Sequence, residues 1–284
     1  MKQIGIVCMM LFLFSCSKDT KQLLVQEPEQ PETITPEKFV ETAPPVLTAV
    51  KKKINNSIGG YYQSLPSKYN ERSDKYPLII FVHGLGQVGN GTTELSKVAE
   101  EAIIKRISQK TFPPHVTVGK ESYSFIVLAP QFSKHEYLEA LHGFVNYALK
   151  NYRIDQQRIY LAGLSLGGRM VCDYAATYPS QIAAVVPMAG VSKQDESFSS
   201  KTSSIAKNNI PVWEFHNRND ELMSSSDAEL FISEILEKNP LNRSLISLLS
   251  DKGEANHDSW TRASDPSFKV NEQNIYQWML QFSK

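Results

Sequence analysis

Gly163-Leu164-Ser165-Leu166-Gly167 sets a serine between two glycines, directly after the apolar run Arg158-Ile159-Tyr160-Leu161-Ala162 and directly before a helical pattern. This is the strand-turn-helix setting in which a G-x-S-x-G serine is presented as a nucleophile. The glycines have a steric purpose. The serine must occupy a strained turn, and a side chain two residues to either side would collide with the neighbouring strand and helix. A short match alone equally describes a tight turn with an inert serine, and it is the context that favours chemistry. A serine hydroxyl is a weak nucleophile at neutral pH, so it needs a base within hydrogen-bond reach and a third group to orient that base.

Six histidines are present, and only His216 and His257 follow Ser165. His257 lies in Asn256-His257-Asp258-Ser259-Trp260, a loop after the last strand candidate, and is assigned as the base. His216 follows Val212-Trp213-Glu214-Phe215 and is expected to shape the loop that presents the acid. Asp220, just beyond that strand, is preferred as the acid over its neighbour Glu221, while Asp227 is expected to cap the next helix. The developing oxyanion needs donors. Val82-His83-Gly84-Leu85-Gly86 ends another apolar strand in flexible backbone, and the amides of Leu85 and Leu166 are the expected pair, with His83 in a structural hydrogen-bonding role. No H-E-x-x-H or paired Cys/His spacing occurs, so neither a metal nor a cofactor is implied.

Those residues require a scaffold. Extended apolar runs cover residues 61–65, 77–82, 124–129, 158–162, 183–188, 211–215 and 244–249. Helical patterns lie between them at 94–110, 135–151, 169–178, 227–238 and 271–282. The run at 77–82 is continuous rather than alternating, as expected of a strand covered on both faces. Strand-helix alternation predicts an α/β fold, a mostly parallel sheet with helices on both faces and its site at the carboxyl ends of the strands.

The N-terminus points to export. Met1-Lys2-Gln3 precedes an apolar run to Phe14, too short for a membrane-spanning helix of about 20 residues, and Leu13-Phe14-Ser15-Cys16 closes it. A small residue before cysteine, with leucine two positions earlier, resembles the bacterial lipobox, in which Cys16 would be lipidated; the bland alternative is a plain secretory signal. Residues 1–15 are therefore read as a signal peptide, 16–50 as a lipidated cysteine followed by a disordered Pro/Glu-rich tether, and 51–284 as the folded domain. Cys172 is then the one thiol of the mature domain, a buried small hydrophobe with no disulfide partner. Thirty basic and thirty acidic residues cancel, which offers no field for nucleic acid, and the Lys51-Lys52-Lys53 run reads as a solvated stretch.

Taken jointly, His83-Gly84-Leu85-Gly86 with Gly89 and Gly91, Ala129-Pro130-Gln131, the stretch from Tyr152 to Tyr160, the serine turn, the loop from Phe215 to Asp220 and His257-Asp258-Ser259-Trp260 resemble a group of α/β-hydrolases. That group includes polyhydroxybutyrate depolymerases and the feruloyl and acetyl xylan esterases of carbohydrate esterase family one. The likeness covers residue 60 to the C-terminus. It implies the α/β-hydrolase fold and ester cleavage through Ser165, Asp220 and His257, with acyl esters on polysaccharide as substrates. Asn217 departs from the group's usual glycine, and its tolerance of positive φ is expected to preserve the turn. A serine peptidase related to prolyl oligopeptidase and a non-catalytic glycan-binding lipoprotein are the rival expectations.

Overall fold

The computed structural model describes residues 39–134, 138–238, 244–250 and 256–284. The signal segment, Cys16 and most of the stretch read as a tether lie outside the described residues. The folded unit runs from Lys38 to Lys284.

Its centre is an eight-stranded sheet. In chain order the strands are β1 (Val46–Val50), β2 (Ile58–Leu65), β3 (Tyr76–Val82), β6 (Ile126–Phe132), β7 (Ile154–Leu164), β8 (Ala184–Met188), β9 (Trp213–Asn217) and β10 (Leu245–Leu249). β4 (Val116–Val118) and β5 (Glu121–Tyr123) form a separate two-stranded sheet. The spatial order is β1-β2-β6-β3-β7-β8-β9-β10. From β6 to β10 all neighbours are parallel, whereas β1 and β2 are antiparallel additions at one edge.

β3 shows why the continuous apolar run becomes a central strand. Leu78, Ile80 and Val82 enter the core on one face of the sheet, and Ile79 and Phe81 enter the core on the other. A two-residue side-chain period buried on both faces leaves no polar position. Helices α2 (Leu138–Asn151), α3 (Leu166–Thr177), α4 (Phe198–Lys207) and α5 (Ser225–Lys238) cover the first face. Helices α1 (Ala102–Ser108), α6 (Trp260–Ala263) and α7 (Ile275–Met279) cover the second. In α2, Leu141, Phe144, Val145 and Ala148 fall on one stripe and are fully buried. Truncating a ring such as Phe144 to alanine would cost about 3–5 kcal/mol. α3 stops at Thr177 because Tyr178 precedes Pro179, which disfavours the helical conformation at that position.

Several boundaries differ from the sequence expectation. The sheet begins at Val46, inside the 16–50 stretch, because β1 is an edge strand whose half-exposed pattern carries little apolar periodicity. The pattern at 94–110 is broken into a 3-10 turn, Leu95–Glu100, and the short α1, with Glu101 extended between them. The C-terminal helix starts only at Ile275: Asn271 and Glu272 take positive φ, and Asn274 caps the helix by accepting from the Gln277 amide at 2.9 Å. α4 escaped the sequence reading because only Phe198, Ile205 and Ala206 of its buried face are apolar; Lys201 and Thr202 complete it.

Candidate active site

β7 delivers Ser165 and α3 begins immediately after it. Ser165 takes φ 50° and ψ −120°, a conformation that costs a non-glycine residue about 1–3 kcal/mol and persists only when its surroundings impose it. They do so sterically. A Cβ at Gly163 would lie 2.3 Å from the Gly167 carbonyl oxygen, and one at Gly167 would lie 2.1 Å from the Val82 carbonyl oxygen. The Ser165 amide donates to the Met188 carbonyl at 2.7 Å, tying the turn to β8.

The expected partners converge on this serine. His257 Nε2 lies 2.9 Å from Ser165 Oγ, and His257 Nδ1 lies 2.7 Å from Asp220 Oδ2. The other carboxylate oxygen, Asp220 Oδ1, accepts from the amides of Leu222 at 2.8 Å and Met223 at 2.9 Å. Burial would raise the Asp220 carboxyl, but hydrogen bonds from His216, His257 and those two amides hold it well below the usual carboxylate range. The arrangement is thus an ionised carboxylate fixing an imidazole whose other nitrogen faces a half-buried hydroxyl. Such a series can take a proton from the hydroxyl as it attacks a carbonyl and return it to a leaving group. The competitor Glu221 points elsewhere, accepting from Asn256 Nδ2 at 3.1 Å.

Leu166 is the first residue of α3, and Leu85 opens a 3-10 turn, Leu85–Gln87, at the end of β3. First-turn amides lack partners within their own helix and can serve as donors to an anion. His83 clamps this loop: Nδ1 donates to the Gly84 carbonyl at 2.7 Å and Nε2 accepts from the Phe132 amide at 2.9 Å. Burial lowers its pKa to about 4, consistent with a neutral ring in that double role. Gln131, fully buried, braces the same loop from β6. It accepts from the Gly91 amide and donates to the carbonyls of Gln87 and Glu94, each at 2.8 Å.

Two expectations are corrected. Asn217 does not adopt positive φ; it is the last residue of β9, and its Nδ2 donates to the carbonyls of Asn256 at 2.8 Å and Asp258 at 3.2 Å, on either side of His257. The positive φ falls on Asn256 instead. Asp227 does not cap α5. It lies within the first turn and accepts from the Lys193 amide at 2.8 Å, across to the loop after β8. Cys172 is free and buried, with its thiol pKa pushed up by burial. Among the described residues no cluster of metal-ligating side chains occurs, and no helix is long and apolar enough to cross a membrane.

A cavity of about 590 Å³ adjoins the serine turn, lined by Leu166, Arg169 and Met170 of α3 and by Ser197, Ser200 and Lys201 at α4. Its wall holds an ion network with no counterpart in the sequence reading. Lys201, buried, pairs with Asp173 and, at 2.6 Å, with Asp195, and Arg169 reaches Asp195 at 3.2 Å. Burial would raise the Asp195 carboxyl, yet hydrogen bonds from Lys201 and Ser197 hold it well below its ordinary range.

Comparison with curated proteins gives no match. Among solved structures, the chain is similar to a thermostable esterase, with 22% identity, a TM-score of 0.60, and coverage of 85% of this chain and 63% of that one. The chain therefore spans less than two thirds of that esterase's length. It is also similar to a fluorophosphonate-binding serine hydrolase of Staphylococcus aureus (14% identity, TM-score 0.59, 84% of this chain and 99% of that one). A ferulic acid esterase follows at 16% identity and TM-score 0.52, over 80% of this chain and 97% of that one. At such identities the likeness establishes a shared fold, the α/β-hydrolase fold. The pattern of the phospholipase/carboxylesterase family matches residues 68–259, about two thirds of the chain, and so takes in the serine turn, Asp220 and His257. The chain belongs to the phospholipase/carboxylesterase family.

Proposed function

We propose that the protein is an exported serine esterase that cleaves short acyl esters of polar, hydroxylated alcohols through an acyl-enzyme. The observation that carries this reading is the unbroken series Ser165 Oγ, His257, Asp220, with separations of 2.9 Å and 2.7 Å. Ser165 Oγ attacks the ester carbonyl while His257 Nε2 takes its proton. The tetrahedral oxyanion is held by the amides of Leu85 and Leu166, and it collapses as His257 returns the proton to the departing alcohol. Water, deprotonated by His257, then releases the acid and restores the serine. Asp220 stabilises the imidazolium in both halves and fixes its tautomer.

The surroundings support the substrate class. Leu85 and Leu222, on the loops next to the oxyanion donors and the acid, are 60% and 65% exposed and offer apolar contact for a small acyl group. The adjoining cavity sets the apolar side chains of Leu138, Leu166 and Met170 beside serines and the charges of Arg169, Asp173 and Lys201, and so offers polar contacts to a hydroxyl-bearing leaving group. The region between residues 110 and 124 holds too little apolar sequence for a large lid, and its residues 112–115 are engaged elsewhere: Phe112 packs edge-on against Tyr276 at 5.1 Å, and His115 Nδ1 donates to the Glu41 carbonyl at 2.7 Å. The resemblance to feruloyl and acetyl xylan esterases points the same way, toward acyl groups on polysaccharide. Anchorage through lipidated Cys16 rests on Leu13-Phe14-Ser15-Cys16 alone.

Labelling with a fluorophosphonate followed by peptide mass mapping tests the core of the reading. The adduct is expected on Ser165, and Ser165→Ala should abolish both labelling and about 10⁶-fold of esterase turnover. An adduct elsewhere, or an active alanine variant, would remove Ser165 as nucleophile. Faster cleavage of a prolyl peptide amide than of acetyl or feruloyl oligosaccharide esters would move the assignment to a peptidase.

A further inference from the structure

The acid of the triad is shared between two imidazoles. His257 Nδ1 lies 2.7 Å from Asp220 Oδ2, and Nε2 of His216 lies 3.2 Å from the same oxygen. His216 also contacts the Met223 carbonyl through Nε2 at 3.0 Å and Glu214 Oε1 through Nδ1 at 3.1 Å. Glu214 and His216 are two residues apart on β9, hence on one face of the strand, and both are 0% exposed.

Every atom recorded against the two ring nitrogens is an oxygen that accepts. A neutral imidazole carries one N–H and one lone pair, so either tautomer would aim a lone pair at a buried carbonyl or carboxylate. Only a ring protonated on both nitrogens donates in both directions. Glu214 meets the ring from its other side: its Oε1 also accepts from the Gly190 amide at 3.4 Å, and its Oε2 has no partner among the described residues.

Resting on the triad reading above, we infer that Glu214 and His216 form a buried ion pair that tunes the catalytic carboxylate, with His216 as a positioning residue that donates to Asp220 and opposes the charging of His257. A cation already bound to Asp220 Oδ2 withdraws part of the negative charge that would otherwise stabilise an imidazolium at His257. The base therefore keeps its neutral, proton-accepting form at lower pH than it would beside Asp220 alone. Burial by itself would lower the His216 pKa, but the hydrogen bonds to Asp220 and Glu214 push it up to about 10, in accord with the donor geometry.

The other ionisable groups around the pair do not supply the same charge. On the loop after β9, Glu221 is engaged by Asn256. From α3, the fully buried Cys172 thiol is pushed up by burial and, to a lesser degree, by Glu214. Lys201, which also acts on Cys172, is committed to Asp173 and Asp195. From the segment carrying His257, Asp258 Oδ1 accepts from the Thr261 amide at 2.8 Å, and Glu101 is bound by Trp260 Nε1 at 3.0 Å. His216 is the cation in direct contact with Asp220.

Two measurements decide the matter. Ring nitrogen-15 NMR of the wild-type protein at pH 8 should find both nitrogens of His216 protonated, and a singly protonated ring there would overturn the ion pair. The pH dependence of kcat/KM for p-nitrophenyl acetate, and of the fluorophosphonate labelling rate at Ser165, should then be compared with His216→Gln and with the double variant Glu214→Gln/His216→Gln, which leaves no unpaired buried charge. The acid limb should move up by about one pH unit in the single variant and by less in the double, as expected when a neighbouring cation is removed. A uniform loss of rate with an unmoved limb would reduce His216 to structural support and overturn the tuning role. Labelling of the wild type at no pH would overturn the esterase reading itself, and the tuning role with it. Should neither variant fold by circular dichroism, the NMR result alone decides.

Discussion

Ser165 and His257 meet at 2.9 Å but are held there by opposite means. The serine is fixed by its own chain: β7 ends, α3 begins, and the glycines at 163 and 167 let the backbone pass where any Cβ would strike a carbonyl. The histidine has no such local constraint. Its loop is tied to β9 by side-chain hydrogen bonds running in both directions and packed by the neighbouring Trp260 ring. Asn217 Nδ2 reaches the carbonyls of Asn256 and Asp258, Ser259 Oγ reaches the Phe215 carbonyl at 3.0 Å, and the Trp260 ring meets His257 edge-on at 5.2 Å. Backbone sterics is all or none, whereas a set of separate hydrogen bonds loosens by degrees. Substitutions in the two regions should therefore fail differently.

The largest effect belongs to the group that the two regions share. Asp220→Asn keeps the shape but removes the charge that stabilises the His257 imidazolium and fixes its tautomer. A loss of about 10⁴ in kcat is expected, together with a lower unfolding midpoint, because a buried carboxylate that accepts from both imidazoles and two amides loses its charge. Retention of more than a tenth of wild-type kcat would show that Asp220 does not serve His257. On the serine side, Gly167→Ala puts a Cβ 2.1 Å from the Val82 carbonyl oxygen and should destabilise the fold by about 1–3 kcal/mol or more, read as a lower urea midpoint. An alanine variant as stable as wild type would mean that the turn can relax, and the contrast with the histidine side would weaken.

The same difference explains how far the sequence could be read. The serine turn was legible because its determinants are contiguous: an apolar run, G-x-S-x-G, then a helix. The sheet was legible for the same reason, since β3 and residues 159–164 of β7 bury both faces and cannot alternate. Asp220 and His257 could be nominated by their position after strands, but what holds them could not, because Asn217 and Ser259 act across about 40 positions of sequence. At Asn217 the sequence points to backbone tolerance, whereas the structure uses the side chain, whose Nδ2 donates to the carbonyls flanking His257. The Arg169, Asp173, Asp195 and Lys201 network was invisible because a lysine on a serine-rich helix signals solvent until its partners are known. Edge strand β1 and the β4-β5 pair are short or half exposed and carry little periodicity.

Asn217→Ala should reveal the graded behaviour of the histidine side. It removes both donors to the carbonyls flanking His257 while leaving the ionic series intact. A tenfold fall in kcat/KM, about 1.4 kcal/mol, is the expected scale for losing positioning hydrogen bonds without losing a reacting group. Asn217→Asp would bury a carboxylate against the same two carbonyl oxygens and should therefore be worse than the alanine variant. If both variants keep full activity, the loop must be held by Ser259 and Trp260 alone.

The smallest effect is expected at Glu221, and it also tests the choice of acid. Glu221 is adjacent to Asp220 and carries the same charge, so sequence position alone barely separates them. Geometry does. Asp220 is fully buried at its carboxylate and contacts both imidazoles, whereas Glu221 is exposed and accepts a single hydrogen bond from Asn256 Nδ2 at 3.1 Å. Exposed polar pairs of this kind contribute less than about 1 kcal/mol, and glutamine keeps the accepting oxygen. Glu221→Gln should therefore leave kcat/KM within about fivefold of wild type, the rate equivalent of that energy. A loss comparable to that of Asp220→Asn would transfer the orienting role to Glu221 and require the 218–224 loop to rearrange during turnover, because in the resting arrangement its carboxylate faces Asn256 rather than the His257 ring.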